Sequence, residues 1–169
     1  SMVLLKNTGV LPLQPGGRIL VAGDAAHDIA RQSGGWTLSW QGTGLENDLF
    51  PGATSLWSGI EQAATATGGS AQLSEDGTFT QRPDAAIVIF GETPYAEFQG
   101  DIATLQLRPE LRGPIATMRR LKEQGIPVVA VMITGRPLYV NEALNTADAF
   151  VAAWLPGSEG AGGARSEER

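Results

Sequence analysis

Four strands are predicted, over residues 18–23, 85–90, 127–133 and 148–155, and the centre of each is apolar at every position. Uninterrupted runs of that length mark parallel strands covered on both faces, not half-exposed strands that alternate. Between them the apolar positions change to helical spacing. Leu56, Trp57, Ile60, Ala63 and Ala64 form one stripe, with Thr54 or Ser55 available as a cap and Gly68-Gly69 as the stop; on that stripe Trp57 reads as core. Ile115, Met118 and Leu121 form another, entered through Gly113-Pro114 and stopped by Gly125. Shorter elements complete the pattern: a helix over residues 28–32, a strand at 71–73, and a helix over 138–144 or a partly extended stretch at Tyr139-Val140. Val3-Leu4-Leu5 reads as an apolar segment stopped by a turn, and Pro12 makes residues 10–13 an extended packing segment. Residues 34–44, 74–83 and the closing PGSEGAGGA read as loops, and 102–107 as extended chain. Alternating strands and helices predict an α/β fold, a three-layer sandwich around a mostly parallel sheet. A last strand followed only by loop leaves one layer open, so the chain reads as truncated at its C-terminus.

Composition narrows the class. Charged residues make up 18% against a typical ~25%, and glycine is 22 of 169 residues, which suggests a loop-rich domain with part of its surface covered. The length suits one domain. A net charge of −6, with no Lys/Arg cluster beyond a solvated helix face at Arg119, Arg120 and Lys122, argues against a nucleic-acid partner. No apolar run approaches the ~18 residues of a membrane span, so no membrane partner is expected. The start SMVLLKNTG lacks a charged leader and a long apolar core, so no signal peptide is read there. The chain has no cysteine, which excludes disulfides, thiolate metal sites and cysteine nucleophiles.

Candidate chemistry concentrates behind the strand at 85–90. Gly91, Glu92, Pro94, Tyr95, Glu97, Gln99, Gly100 and Asp101 follow it directly, at the place where open α/β sheets bind ligands. A second polar strand end is Gly23-Asp24, where Asp24 is either a ligand-facing carboxylate or the cap of the helix at 28–32. Neither G-x-G-x-x-G nor G-x-x-x-x-G-K-[ST] occurs, so a nucleotide cofactor is not expected. His27 is the single histidine and has no second ligand nearby in sequence, so no metal is expected. Trp36 and Trp40 sit among Gly34, Gly35, Gly42 and Gly44; either both are core or, because glycine backbone covers little, at least one is an exposed platform for flat sugar faces or other rings.

The segments LLKNTGVLPL, GGWTLSWQG, GETPYAEFQGD, ITGRPL and DAFVAAWLPGSEGAGGA, in this order, resemble the second domain of glycoside hydrolase family 3, in the β-glucosidase and exo-β-glucan glucohydrolase branch. The resemblance runs from Val3 to about Ala164 and assigns residues 1–164 to that domain; residues 165–169 (RSEER) form a divergent tail. It implies an (α/β)6 sandwich that follows a (β/α)8-like barrel carrying an aspartate nucleophile. It implies that Glu97 is the general acid/base, that Trp40 stacks on the leaving-group sugar, and that Trp36 supports it. Glu92, at the strand end, reads as a hydrogen-bonding residue and a lesser candidate; Asp101 and Gly100 as residues fixing the loop; Arg136 and Glu159 as contacts near strand ends.

A retaining glycosidase needs an ionised carboxylate to attack the anomeric carbon and a protonated one to supply the departing oxygen. The resemblance therefore implies the acid/base-bearing half of an enzyme that removes terminal β-D-glucosyl residues. No cofactor is expected. The implied partners are a β-glucoside or β-glucan oligosaccharide and the barrel domain, in a periplasmic or secreted parent. The chain alone is expected to be inactive, and the acid is expected to need a raised pKa. The competing expectation is a non-catalytic sugar-binding α/β module.

Overall fold

Why strands β4 (Ala85–Gly91), β5 (Val128–Ile133) and β6 (Ala149–Trp154), and β2 (Arg18–Ala22) beyond Arg18, are apolar is plain in the computed structural model, which describes residues 2–166. Every residue of β4 and β5 is buried. Successive side chains of a strand point to opposite faces, and both faces are covered. Leu20, Ala86, Val88, Phe90, Val128, Ala130 and Met132 enter one apolar cluster, while Val21, Ile87, Ile89, Val129, Val131 and Ile133 enter another. The sheet is the middle layer of a three-layer α/β sandwich.

The six strands, with β1 (Val3–Asn7) and β3 (Ser70–Leu73), lie in the order β1-β6-β5-β4-β2-β3. All pairings are parallel except β1 with β6. The segment at Val3-Leu4-Leu5 is thus an antiparallel edge strand, and its exposed side chains explain why no burial pattern announced it.

Helix α2 (Leu56–Ala66) lies on one face and α3 (Arg112–Glu123) and α4 (Asn141–Thr146) on the other; α1 (Ile29–Ser33) is tied to the start of α2, the Leu56 amide donating to the Gln32 side chain at 2.8 Å. Ser55 caps α2, its hydroxyl oxygen accepting from the Ser58 amide at 3.0 Å. Leu56, Ile60 and Ala64 form the buried stripe of α2, and Trp57 beside them is half-buried and packs against the same apolar cluster. Helix α3 buries Ile115, Met118 and Leu121 and starts at Arg112, a residue before the Gly113-Pro114 entry. Helix α4 starts at Asn141, and of the two readings for 138–144 the partly extended one holds at Tyr139, which pairs with Gln106.

Two sequence expectations need correction. Asp28, not Asp24, caps α1, accepting from the Arg31 amide at 2.9 Å; Asp24 instead forms an ion pair with Arg31 at 2.8 Å. The segment after β6 is not all loop, since Gly160–Ser166 form helix α5. Its glycines suggest a loop on propensity. They are tolerated because the helix lies directly on the start of α2, where a Cβ at Gly160 would stand 2.4 Å from the Ser55 carbonyl carbon. Residues 165–166 continue α5, and 167–169, like Ser1, lie outside the described residues.

Strand succession runs outward one way from β2 to β3 and the other way through β4, β5 and β6. The direction switches between β2 and β4, and ligands in such sheets bind beyond the strand ends at that switch. The glycine-tryptophan loop follows α1, behind β2, and the Glu92–Asp101 loop follows β4. The two loops meet, the Ala96 amide donating to the Gln41 side chain at 2.7 Å.

Candidate active site

The loop leaving β4 is anchored at its base. Glu92 is 9% exposed, and its Oε2 accepts from the Thr134 hydroxyl at 2.8 Å and from the Tyr95 hydroxyl at 3.4 Å. Arg136 donates from Nε to Glu92 Oε1 at 3.0 Å and from Nη1 to the Gly100 carbonyl at 2.6 Å. The same guanidinium lies 3.8 Å from the Tyr95 ring centroid, a cation–π contact. Burial first, and then the Glu92 charge, push the Tyr95 hydroxyl above its ordinary pKa, so it stays a protonated donor. One arginine thereby ties both ends of the loop to the sheet.

The tip of the loop meets the tryptophan loop. Gly35 passes so close that a Cβ there would stand 2.1 Å from the Tyr95 carbonyl oxygen. The Trp36 amide donates to the Trp40 carbonyl at 2.9 Å, closing a tight turn in which Trp36 and Leu38 take left-handed backbone at φ 60° and 59°. Phe98 on the facing loop does the same at φ 71°. Non-glycine residues in that region cost on the order of 1–3 kcal/mol each and cluster at functional sites. Trp36 is 70% exposed and Trp40 46%. Both indoles turn their N–H to Glu97: Trp40 Nε1 donates to Oε2 at 2.7 Å and Trp36 Nε1 to the same oxygen at 3.1 Å. The two indole rings are 6.1 Å apart, and Phe98 stands edge-on to Trp40 at 5.8 Å. A carboxylate framed by exposed aromatic faces is the result.

The Glycosyl hydrolase family 3 C-terminal domain model matches residues 2–165. The chain belongs to that family.

Among solved structures, the exo-1,3/1,4-beta-glucanase (ExoP) from a Pseudoalteromonas species is 53% identical to this family 3 domain, with a TM-score of 0.93 over 96% of this chain and 21% of that one. The Lysosomal beta glucosidase of Dictyostelium discoideum is 29% identical over 95% of this chain and 21% of its own length. The beta-glucosidase of Listeria innocua, at 23% identity and TM-score 0.77, covering 99% of this chain and 24% of that one, shares the fold. The chain spans about a fifth of the length of the first two relatives.

Within the family 3 domain, five of the residues singled out from sequence fall into two groups. Trp36, Trp40 and Glu97 meet at the surface, and Glu92 and Arg136 meet beneath them. Asp101 is exposed at the end of the loop, its amide donating to the Phe98 carbonyl at 3.1 Å. Glu159 pairs through its backbone with Thr54 ahead of α5, and no hydrogen bond or ion pair joins it to Glu97. His27 is engaged with Ser55, Nδ1 to Oγ 2.7 Å, and no metal-binding group of three or more acidic or histidine side chains occurs among the described residues. No helix of the described residues is long and apolar enough to cross a membrane.

The raised pKa expected of an acid depends on burial or a nearby nucleophile's charge, and in this chain by itself Glu97 has neither. The Glu97 carboxyl sits below the ordinary carboxylate range, first because Trp40 donates to it, with a backbone contact and the Trp36 donor adding to the effect. Hydrogen bonds to the ionised form favour it, and an exposed carboxylate has little desolvation to oppose them. Sequence reading also passed over Gln41, whose side-chain amide bonds the backbone on both sides of Glu97's Cα. Its place inside the glycine-tryptophan motif was the only available signal.

Proposed function

We propose that this domain supplies the general acid/base, Glu97, to a retaining, exo-acting β-glucosidase or β-glucan glucohydrolase that hydrolyses terminal β-D-glucosyl residues. The observation carrying the reading is the Glu97 carboxylate held between two indole N–H donors whose ring faces are open to solvent. An acid/base must reach the glycosidic oxygen, while a flat apolar ring beside it suits the leaving sugar. The names of the relatives, a beta-glucosidase and an exo-1,3/1,4-beta-glucanase, support the substrate class.

The nucleophile, in this reading, is an aspartate of the barrel domain that the family resemblance places ahead of this one. Retaining chemistry needs the two carboxyl groups ~5–5.5 Å apart. Docking against a negatively charged nucleophile and losing water would both raise the Glu97 pKa from its low value in the open domain, which is the change a proton donor needs. In the second step the ionised Glu97 takes a proton from the attacking water.

In the full-length enzyme, Glu97→Gln should cut kcat/KM on substrates with poor leaving groups by roughly 10²–10⁴-fold, and much less on activated aryl β-glucosides. Equal losses on both would count against the assignment. The isolated chain should not turn over an aryl β-glucoside; turnover that Glu97→Gln abolishes would overturn the half-site reading.

The exposure of Trp36 and Trp40 also fits a non-catalytic sugar-binding module. Titration with cello- or laminari-oligosaccharides, followed by tryptophan fluorescence, separates the two: millimolar or weaker binding fits the half-site, and tight binding fits the module.

A further inference from the structure

The Glu97 side chain is exposed and sits on a loop, yet two indoles from another loop converge on it. Those two contacts alone join flexible ends. What holds the backbone is Gln41. Its Oε1 accepts from the Ala96 amide at 2.7 Å, and its Nε2 donates to the Glu97 carbonyl at 3.0 Å. A primary amide is planar and rigid, with donor and acceptor side by side. The two bonds therefore fix the peptide planes on either side of the Ala96–Glu97 pair, and with them the direction of the Glu97 Cα–Cβ bond. Gln41 adjoins Trp40, so one dipeptide orients both the backbone of Glu97 and its carboxylate. Gly35, from the same loop as Gln41, packs against the Tyr95 carbonyl, and Arg136 holds the Gly100 carbonyl, so the segment between is held at both ends.

We infer that Gln41 is a positioning residue, whose side-chain amide holds Glu97 in register with Trp36 and Trp40. Its consequence for catalysis rests on the acid/base reading of Glu97; its consequence for geometry does not.

The test is Gln41→Met, which keeps the side-chain length and removes both hydrogen bonds. In the 169-residue chain, NMR reads the Glu97 carboxyl titration and the Trp36 and Trp40 indole N–H resonances. The expected result is a Glu97 midpoint moving up toward the ordinary carboxylate value, with both indole protons shifting upfield and exchanging faster. Gln41→Asn, one methylene too short to span both contacts, should act in the same direction and serves if the methionine variant fails to fold. A folded variant with wild-type titration and wild-type indole signals overturns the inference. In the full-length enzyme, Gln41→Met should lower kcat/KM on an unactivated disaccharide on the order of 10–100-fold and spare activated aryl glucosides. A uniform loss on both substrates, where Glu97→Gln does discriminate between them, counts against positioning. If Glu97→Gln itself shows no discrimination, the acid/base reading fails, and the NMR result alone decides the role of Gln41.

Discussion

Glu97 is governed by its hydrogen-bond donors rather than by burial. Its carboxyl lies below the ordinary range chiefly because of the Trp40 N–H. Trp40→Phe keeps an aromatic ring and removes that donor, so the Glu97 midpoint should rise, as NMR titration of the carboxyl carbon can check. A midpoint unmoved in the folded variant would contradict the hydrogen bond's role. The same depression links folding to pH. With the folded pKa below the unfolded one, the contribution is complete above the ordinary carboxylate range and is lost as pH falls through the lowered midpoint. At this scale the residue types near the strand end were readable, and the family resemblance preferred Glu97 to Glu92. Position at the strand end also marked Glu92 as a hydrogen-bonding residue, and it accepts from Thr134 and Arg136; its partners, and the two indoles around Glu97, were not readable.

Among the elements, the link between the β4 loop and the segment after β5 shows how burial sets the value of an ion pair. The Arg136 and Glu92 side chains are 14% and 6% exposed, whereas Arg119 and Glu142, joined at 2.7 Å between α3 and α4, are 55% and 43% exposed. Removing one partner of a buried pair strands the other charge at a cost of about 3–5 kcal/mol. An exposed pair contributes about 0–1 kcal/mol. Urea unfolding should therefore find Arg136→Met destabilised by roughly 3 kcal/mol and Arg119→Ala by less than about 1 kcal/mol; equal effects would mean the Glu92 site is wetter than its exposure indicates. Buried strands and long stripes were legible because every position carries the signal. Helix α5 was not, because Gly160, Gly162 and Gly163 weaken helix propensity and at Gly160 reflect contact with α2, which no local pattern records.

Across the whole molecule, the chain's first strand is secured to its last third. Lys6 in β1 donates from Nζ to the Leu144 and Ala147 carbonyls at 2.8 and 2.6 Å, placing a cation at the C-terminal end of α4. A charge there satisfies orphan carbonyls and opposes the negative end of the helix dipole. Lys6→Met should cost about 1–2 kcal/mol and speed amide exchange in β1 and the β6 residues paired with it, while β4 stays protected. Unchanged exchange along β1 would show that the edge strand holds without the lysine. By itself the sequence determined a parallel α/β core, since continuous apolar runs that alternate with amphipathic helical stripes fit strands covered by helices on both faces. It also determined the polar loop behind β4, because a strand's end is marked by where its apolar run stops. The tertiary structure alone decided that β1 runs antiparallel at the edge and that α5 closes onto α2. It alone turned Trp36 and Trp40 toward Glu97, with Gln41 across the peptide backbone beneath. Those outcomes depend on contacts between segments tens of residues apart, whose partners are chosen by sheet order and loop closure rather than by neighbours in the chain.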